Sequence, residues 1–235
     1  MGQKIHPKIF RLSTIYKWDS KWFGNKKNYI SHLSDDVRVR AFLKGELKQA
    51  GVDLIEFDRN ANKVIITIHA AKPGIIIGRS GAGIEDLRSK MMKKFYRGKR
   101  VNITINVQEL KQPSLSASVV ALQVAQDIEK RLPFRRSMKM AVERVMKAGA
   151  KGVKIQVGGR LNGADIARKE KVHKGSIPLH NLRADVNYQH VQADTIFGAV
   201  GVKVWIYRGE VFEGEEKPAL MLARNGRNTR NNRRA

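Results

Sequence analysis

The chain has 235 residues, enough for one or two domains with their own cores, and 42% of them are hydrophobic, an ordinary globular share. Forty-six Lys and Arg against twenty-one Asp and Glu leave a formal charge of +25, a field that repels itself unless a polyanion neutralises it, so nucleic acid is the leading partner and an anionic membrane surface the second. Zero cysteines exclude disulfides, thiolate catalysis, zinc ribbons and cysteine-ligated iron-sulfur clusters, and fit a reducing compartment.

The opening MGQKIHPKIF has no apolar run of signal-peptide length, and His6 stands where a myristoylation signal needs Ser or Thr, so a cytosolic chain is expected. No eighteen apolar residues run together, the stretch from Phe197 to Tyr207 being broken by Gly198, Gly201 and Lys203, so no transmembrane helix is expected. The first thirty residues carry seven basic side chains against the single acid Asp19, interleaved with Phe10, Tyr16, Trp18, Trp22 and Phe23. Residues 1–34 therefore read as a basic arm whose aromatic rings either stack on a ligand or pack on the chain itself.

Ser34 followed by Asp35 and Asp36 reads as a helix start, and Val37, Phe42, Leu43 and Leu47 recur at near-helical spacing until Gly51. Val52 to Phe57 predicts a strand, Asp58 to Asn62 a turn, and the β-branched run from Val64 to Ile68 a second strand. Pro73 opens a short helix and then a glycine loop. After the loop, Ile84, Leu87, Met91 and Phe95 mark one face of a helix whose surface carries Arg88, Lys90, Lys93, Lys94 and Arg97. Alternation of Val101, Ile103, Ile105 and Val107 predicts a third strand, so residues 35–110 form one domain in the order helix, strand, strand, short helix, loop, helix, strand.

Pro113-Ser114 interrupts both periodicities and offers a helix cap, placing a second domain at residues 113–212. Leu115, Val119, Leu122 and Ile128 suggest one helix, Pro133 breaks it, and Phe134, Met138, Ala141, Val142 and Val145 suggest another ending at Gly149, so the two form a helical hairpin. Three alternating runs follow, through Val153 to Val157, Leu182 to Tyr188 and Val202 to Ile206, as strands of a half-buried sheet. Residues 213–235 end in ARNGRNTRNNRRA, which has five arginines, no acid and almost nothing to bury, and read as a disordered basic tail.

The loop Gly78-Arg79-Ser80-Gly81 matches Gly-x-x-Gly, but twenty glycines in 235 residues produce about two such matches by chance. Two others, at Gly149 and Gly198, read as a helix cap and a strand entry. Only the first lies between an apolar turn and a basic amphipathic helix, after two strands and before a third, the arrangement of a KH domain of the second type. Glycines let the backbone touch a sugar-phosphate chain, the following helix aims amides at phosphates, and Arg79 adds charge. Ile75, Ile76 and Ile77 would floor a groove for about four unpaired nucleotides. A nucleotide-hydrolysing phosphate loop is the rival, yet Ile84-Glu85 stand where Lys and Ser or Thr are required.

A second cluster, Lys130, Arg131, Arg135, Arg136 and Lys139, contains no acid and sits at the junction of the hairpin. Arg135 and Lys139 are a like-charged i, i+4 pair, and Arg135 and Arg136 occupy a first helical turn where the macrodipole prefers acids. A bound polyanion is a better reason for them than stability. Enzyme signals are poor: the six histidines are dispersed, and Asp165, Glu170, Asp185 and Asp194 have no metal-ligand spacing. No catalytic residue, cofactor or metal site is expected, and a nuclease stands as a remote third class.

Several motifs in order, MGQKIHP with Arg11-Leu12, Trp18 and Trp22 behind it, PGIIIGRSGAG, FRRSMKMA, GRLNGADIAR, PLHNLRADV and FGAVGVKVWIYRGE, make the chain resemble the family of bacterial small-subunit ribosomal protein three as far as Phe212. The resemblance implies an α+β chain: a KH domain of the second type with a three-stranded sheet, then an α/β domain with a helical hairpin packed on a sheet. It further implies a place in the head of the cytoplasmic small subunit, contact with ribosomal RNA and messenger RNA, and ribosomal proteins ten and fourteen as neighbours. The family's messenger-entry residues fall on Lys130 or Arg131, Arg135, Arg136 and Lys139. Arg79-Ser80 departs from the two basic residues common at that loop. A free KH-type RNA regulator is the alternative class.

Overall fold

A computed structural model describes residues 4–60, 63–97 and 101–212; the tail expected at 213–235 lies outside them. The N-terminal half runs α1 (Pro7–Phe10), β1 (Ser20–Lys21), α2 (Lys26–Glu46), β2 (Val52–Arg59), β3 (Lys63–Ala70), α3 (Pro73–Ile77), α4 (Ala82–Phe95) and β4 (Asn102–Glu109). Its sheet has the order β1-β2-β3-β4, with β2 and β3 antiparallel and β3 and β4 parallel. The expected three strands are therefore joined by a short fourth, because Ser20 and Lys21 of the arm pair with Phe57 and Asp58. Val64, Ile66 and Ile68 alternate inward from β3 against Leu43, Ile76 and Met91 of the three helices, so period-two and period-3.6 patterns meet in one core.

The helix expected from Ser34 begins eight residues earlier, at Lys26. Asp36 is not a helix-start residue but a buried acid. Its carboxylate accepts from Arg59 Nε at 2.8 Å and Trp22 Nε1 at 2.8 Å, and Arg59 NH2 closes the pair. The first turns of α2 leave Tyr29, Ile30 and Leu33 exposed, so they carry no inward apolar stripe from which a helix could be read.

The C-terminal half runs α5 (Ala117–Glu129), α6 (Phe134–Lys147), β5 (Gly152–Gly159), β6 (Arg168–Gly175), β7 (Ala184–Thr195) and β8 (Gly198–Glu210). The sheet order is β6-β5-β8-β7, antiparallel throughout. Val153, Ile155, Val157, Val202, Val204 and Ile206 have no solvent exposure and meet Val124, Met138 and Val145 from the helices. The α5 cap is Ser116, two residues after Ser114, which lies in a single 3-10 turn. The inward face of α5 is Ala117, Val120, Ala121 and Val124, whereas Val119 and Leu122, expected inward, turn toward the N-terminal half: Val119 lies beside Gly51, and Leu122 lines a cleft shared with Ala41 and Leu47. Strand β6 was absent from the sequence pattern because RKEKVHKG holds one apolar residue, Val172. Backbone pairing to β5 makes it a strand, and its lysines suit an exposed edge.

The arm spans both halves. Arg11 is fully buried, donating to the carbonyls of Pro7 (3.0 Å), Pro178 (3.2 Å), Leu179 (3.0 Å) and Asn181 (2.9 Å), and the Tyr16 hydroxyl donates to Asp185 at 2.5 Å. Packing on the chain itself holds for Trp22, which lies against Tyr29 and His32, whereas Trp18 and Phe23 are exposed. Among the described residues no helix is long and apolar enough to cross a membrane.

Candidate nucleic-acid interface

The glycine loop is a tight backbone crossing between α3 and α4. At Gly83 a Cβ would stand 2.6 Å from the Ile76 carbonyl oxygen, and at Gly78 (φ +69°) one would stand 3.0 Å from the Gly83 nitrogen, so a side chain at either position would push the two helices apart. Gly78 and Gly81 (φ +85°) and even Ser80 (φ +51°) take the left-handed conformation. This presents Arg79 and Ser80 to solvent at the tip. Helix α4 starts immediately behind, with no side chain capping its first amides and Glu85 the sole acid of its first turn. Ile75 and Ile77 are exposed beside the loop, but Ile76 is core, so two isoleucines rather than three face outward. Of the basic residues on α4, Lys90 pairs with Glu46 and Arg88 donates to Asn102, while Lys94 lies over the Phe42 ring at 4.7 Å.

The second cluster is mounted on the α5–α6 turn. Lys130 terminates α5, Arg131 takes a left-handed conformation (φ +61°), and Phe134 enters the core to start α6. With Ser137, Met138, Ala141 and Val142 inward, helical periodicity leaves Arg135, Arg136 and Lys139 exposed. The cluster itself contains no acid, but one reaches it from elsewhere in the chain. Glu170, brought from β6, receives Arg135 through two hydrogen bonds of 2.9 Å. That bond pushes the Glu170 carboxyl below its usual range and raises Arg135. The pairing was invisible in sequence because the partners are 35 residues apart and on an unpredicted strand. Among the described residues Lys130, Arg131, Arg136 and Lys139 have no carboxylate partner.

Beside Arg131 opens a cleft of about 440 Å³, bounded by Phe134, Arg160, Asn162, Asp194 and Phe197. It explains the segment GRLNGADIAR. Gly163 (φ +77°) lies against the Phe197 ring, where a Cβ would approach within 2.9 Å, and Arg160 reaches back to the Ala164 carbonyl at 3.0 Å. The acids Asp165, Glu170, Asp185 and Asp194 are not gathered: Asp165 meets Arg160, Asp185 lies buried under the arm, and Asp194 stands at the end of β7. Among the described residues no three His, Asp or Glu side chains are close enough to hold a metal ion.

Family models match both halves: a KH domain over residues 38–115, and the C-terminal domain of ribosomal protein S3 over residues 124–206. A small ribosomal subunit protein uS3 from Pelotomaculum thermopropionicum is 48% identical over 227 residues, covering 97% of this chain and 96% of that relative. The chain belongs to the uS3 family. The uS3 protein of Oenococcus oeni is 49% identical over 92% of this chain and 82% of its own length, and that of Streptococcus pyogenes is 50% identical over 90% and 95%. The uS3 match settles the α+β architecture as a KH domain of the second type joined to the uS3 C-terminal domain. It runs through the glycine loop and the α5–α6 turn alike.

Proposed function

We propose that the chain is a structural, RNA-binding constituent of the small ribosomal subunit, without covalent chemistry of its own, and that it grips messenger RNA where messenger enters. Family membership supports the ribosomal role, together with the charge of +25 on a chain with two well-packed cores. One observation carries the finer reading: around the start of α6, Arg131, Arg136 and Lys139 are exposed and, among the described residues, without carboxylate partners, although the macrodipole opposes Arg136 in the first turn and like charge opposes all three. A polyanionic strand relieves both. Gly78, Arg79, Ser80 and Gly81 supply a second RNA contact through backbone and charge. Ribosomal proteins ten and fourteen are the proposed protein neighbours, the ribosome of the cytoplasm the location, and residues 1–34, 35–110, 113–212 and 213–235 the proposed division into arm, two domains and tail.

Ribosomes carrying Arg131→Ala, Arg135→Ala and Arg136→Ala test the messenger role. The protein should remain at full occupancy in the subunit, because these side chains are exposed. Elongation should slow on hairpin-containing templates and be nearly normal on unstructured ones, since strands opened at the entry would no longer be held apart by fixed positive charge. Equal slowing on both templates, or loss of the protein from the subunit, would return the cluster to ordinary ribosomal RNA contact.

A further inference from the structure

The C-terminal sheet has two faces of opposite chemistry. One buries Val153, Ile155 and Val157 with their neighbours under α5 and α6. Alternate residues must then point the other way, and no helix of the hairpin covers that side.

Strand register lays the outer face out as three rows of four positions. In the first, Lys154 lies over the Trp205 ring at 4.9 Å, and Tyr188 packs against the same ring at 5.1 Å. In the second, Lys171 and Lys203 flank Gln156, with His190 beyond. In the third, Lys169 pairs across from Gly158, whose missing side chain lets the lysine stem lie flat: a Cβ there would meet Lys169 Cγ at 3.2 Å. No position in the three rows is acidic. The arm folds along the edge of this face, with His6 packed edge-on to Tyr188.

These cations repel one another. Lys169 and Lys171 are two residues apart on one strand, about 7 Å, within the physiological screening length of roughly 8 Å, and Lys171 and Lys203 are two strands apart, about 10 Å, only slightly beyond it. Burial, and then the like charges of Lys4 and Lys171, lower the Lys154 ammonium from its usual range. A sheet surface with this spacing is destabilising in isolation and becomes favourable when phosphates intervene.

We propose that this outer sheet face, through Lys154, Lys169, Lys171 and Lys203, is a third RNA-binding surface, separate from the glycine loop and the α5–α6 turn, and that it docks the phosphodiester backbone without reading bases. Charge complementarity selects a polyanion. The Trp205 ring, occupied by Lys154 and Tyr188, is not open for base stacking, so the lysine heads make the contact.

The test uses the full chain carrying Arg79→Asp and Ser80→Asp, which silences the loop, with and without Lys169→Ala, Lys171→Ala and Lys203→Ala. Affinity for two RNAs of about twenty nucleotides and different sequence is measured against salt. If each lysine neutralises one phosphate, the slope of log affinity against log salt becomes shallower by about 2, equally for both sequences. Lys→Arg at the same three positions keeps the slope. An unchanged slope in a variant with normal circular dichroism overturns the proposal, as does a loss confined to one sequence. So does loss of polyglutamate binding with RNA binding intact, which would assign the face to an acidic protein. None of these outcomes bears on the loop or the messenger site.

Discussion

The Ser116 hydroxyl donates to Asp53 Oδ1 at 2.6 Å and accepts from the Val119 amide at 3.3 Å, so one side chain caps α5 and ties it to β2 of the other domain. Ser118 adds a second tie, to the Asp53 carbonyl at 3.2 Å. The start of α5 is thus held to the N-terminal sheet by side-chain hydrogen bonds.

Ser116→Ala removes a cap, which costs about 1 kcal/mol, and leaves the half-buried Asp53 carboxylate without its donor, about 1–3 kcal/mol more. Urea unfolding should show a loss of about 2–4 kcal/mol, and Ser116→Thr should recover most of it. A loss under 0.5 kcal/mol would mean that water replaces the hydroxyl at both partners.

The Asp36–Arg59 pair is nearly solvent-free, with side-chain exposures of 2% and 7%. Asp36→Ala strands a buried guanidinium whose remaining partners are His32 and the Tyr96 hydroxyl, and should destabilise by about 3–5 kcal/mol. Replacing both residues, as Asp36→Leu with Arg59→Met, should be much milder than the single change. Equal losses from the single and double variants would show that the hydrogen bonds Asp36 accepts from Trp22 (2.8 Å) and the Ser20 hydroxyl (3.3 Å), not charge burial, set the value of the site.

Tyr16 links alkaline stability to the arm. Burial, reinforced by Asp185, raises its hydroxyl far above the ordinary tyrosine value of about 10, so the folded state favours the neutral form. The stability it contributes is complete below about pH 10 and falls as pH rises above that value, because the unfolded chain ionises first. Tyr96, Tyr188 and Tyr207 are raised as well, so Tyr16→Phe should lessen the alkaline loss without abolishing it. Urea midpoints between pH 8 and pH 11 provide the check; parallel curves for the two proteins would contradict it.

At the glycine loop, Arg79→Asp with Ser80→Asp should leave circular dichroism unchanged, since both side chains are exposed at the tip and the glycine crossing is untouched. Affinity for single-stranded RNA should fall, and filter binding measures it. In the unmodified protein, about five neutralised phosphates would give a salt slope near −3.5, roughly a hundredfold weakening from 50 to 200 mM salt. Unchanged affinity in the folded variant would remove the loop from the RNA contacts.

Much of the local geometry of the candidate site was legible because short-range pattern carried it. The loop declared itself through its place between Ile75–Ile77 and a basic helix, and the α6 cluster through charges that a solitary helix start would disfavour. Long-range partners were not legible: Glu170 reaches Arg135, and Asp53 reaches Ser116, across 35 and 63 residues. Ile76 looked like its neighbours in sequence, yet only the packing of α3 against α4 and β4 decides which isoleucine turns inward.

Periodicity and turn chemistry alone determined the two-domain order, the alternating strands and the glycine crossing, since these depend on residues a few positions apart. Net charge alone ranked nucleic acid first among the partners, ahead of an anionic membrane surface. The true start of α2, the existence of β6, the burial of Arg11 and the acid-free outer sheet face were decided by tertiary structure. In each, a polar or charged residue has a role set by a partner distant in the chain. Asp36 as a helix cap and Asp36 as half of a buried ion pair are the same letter, and only the approach of Arg59 distinguishes them.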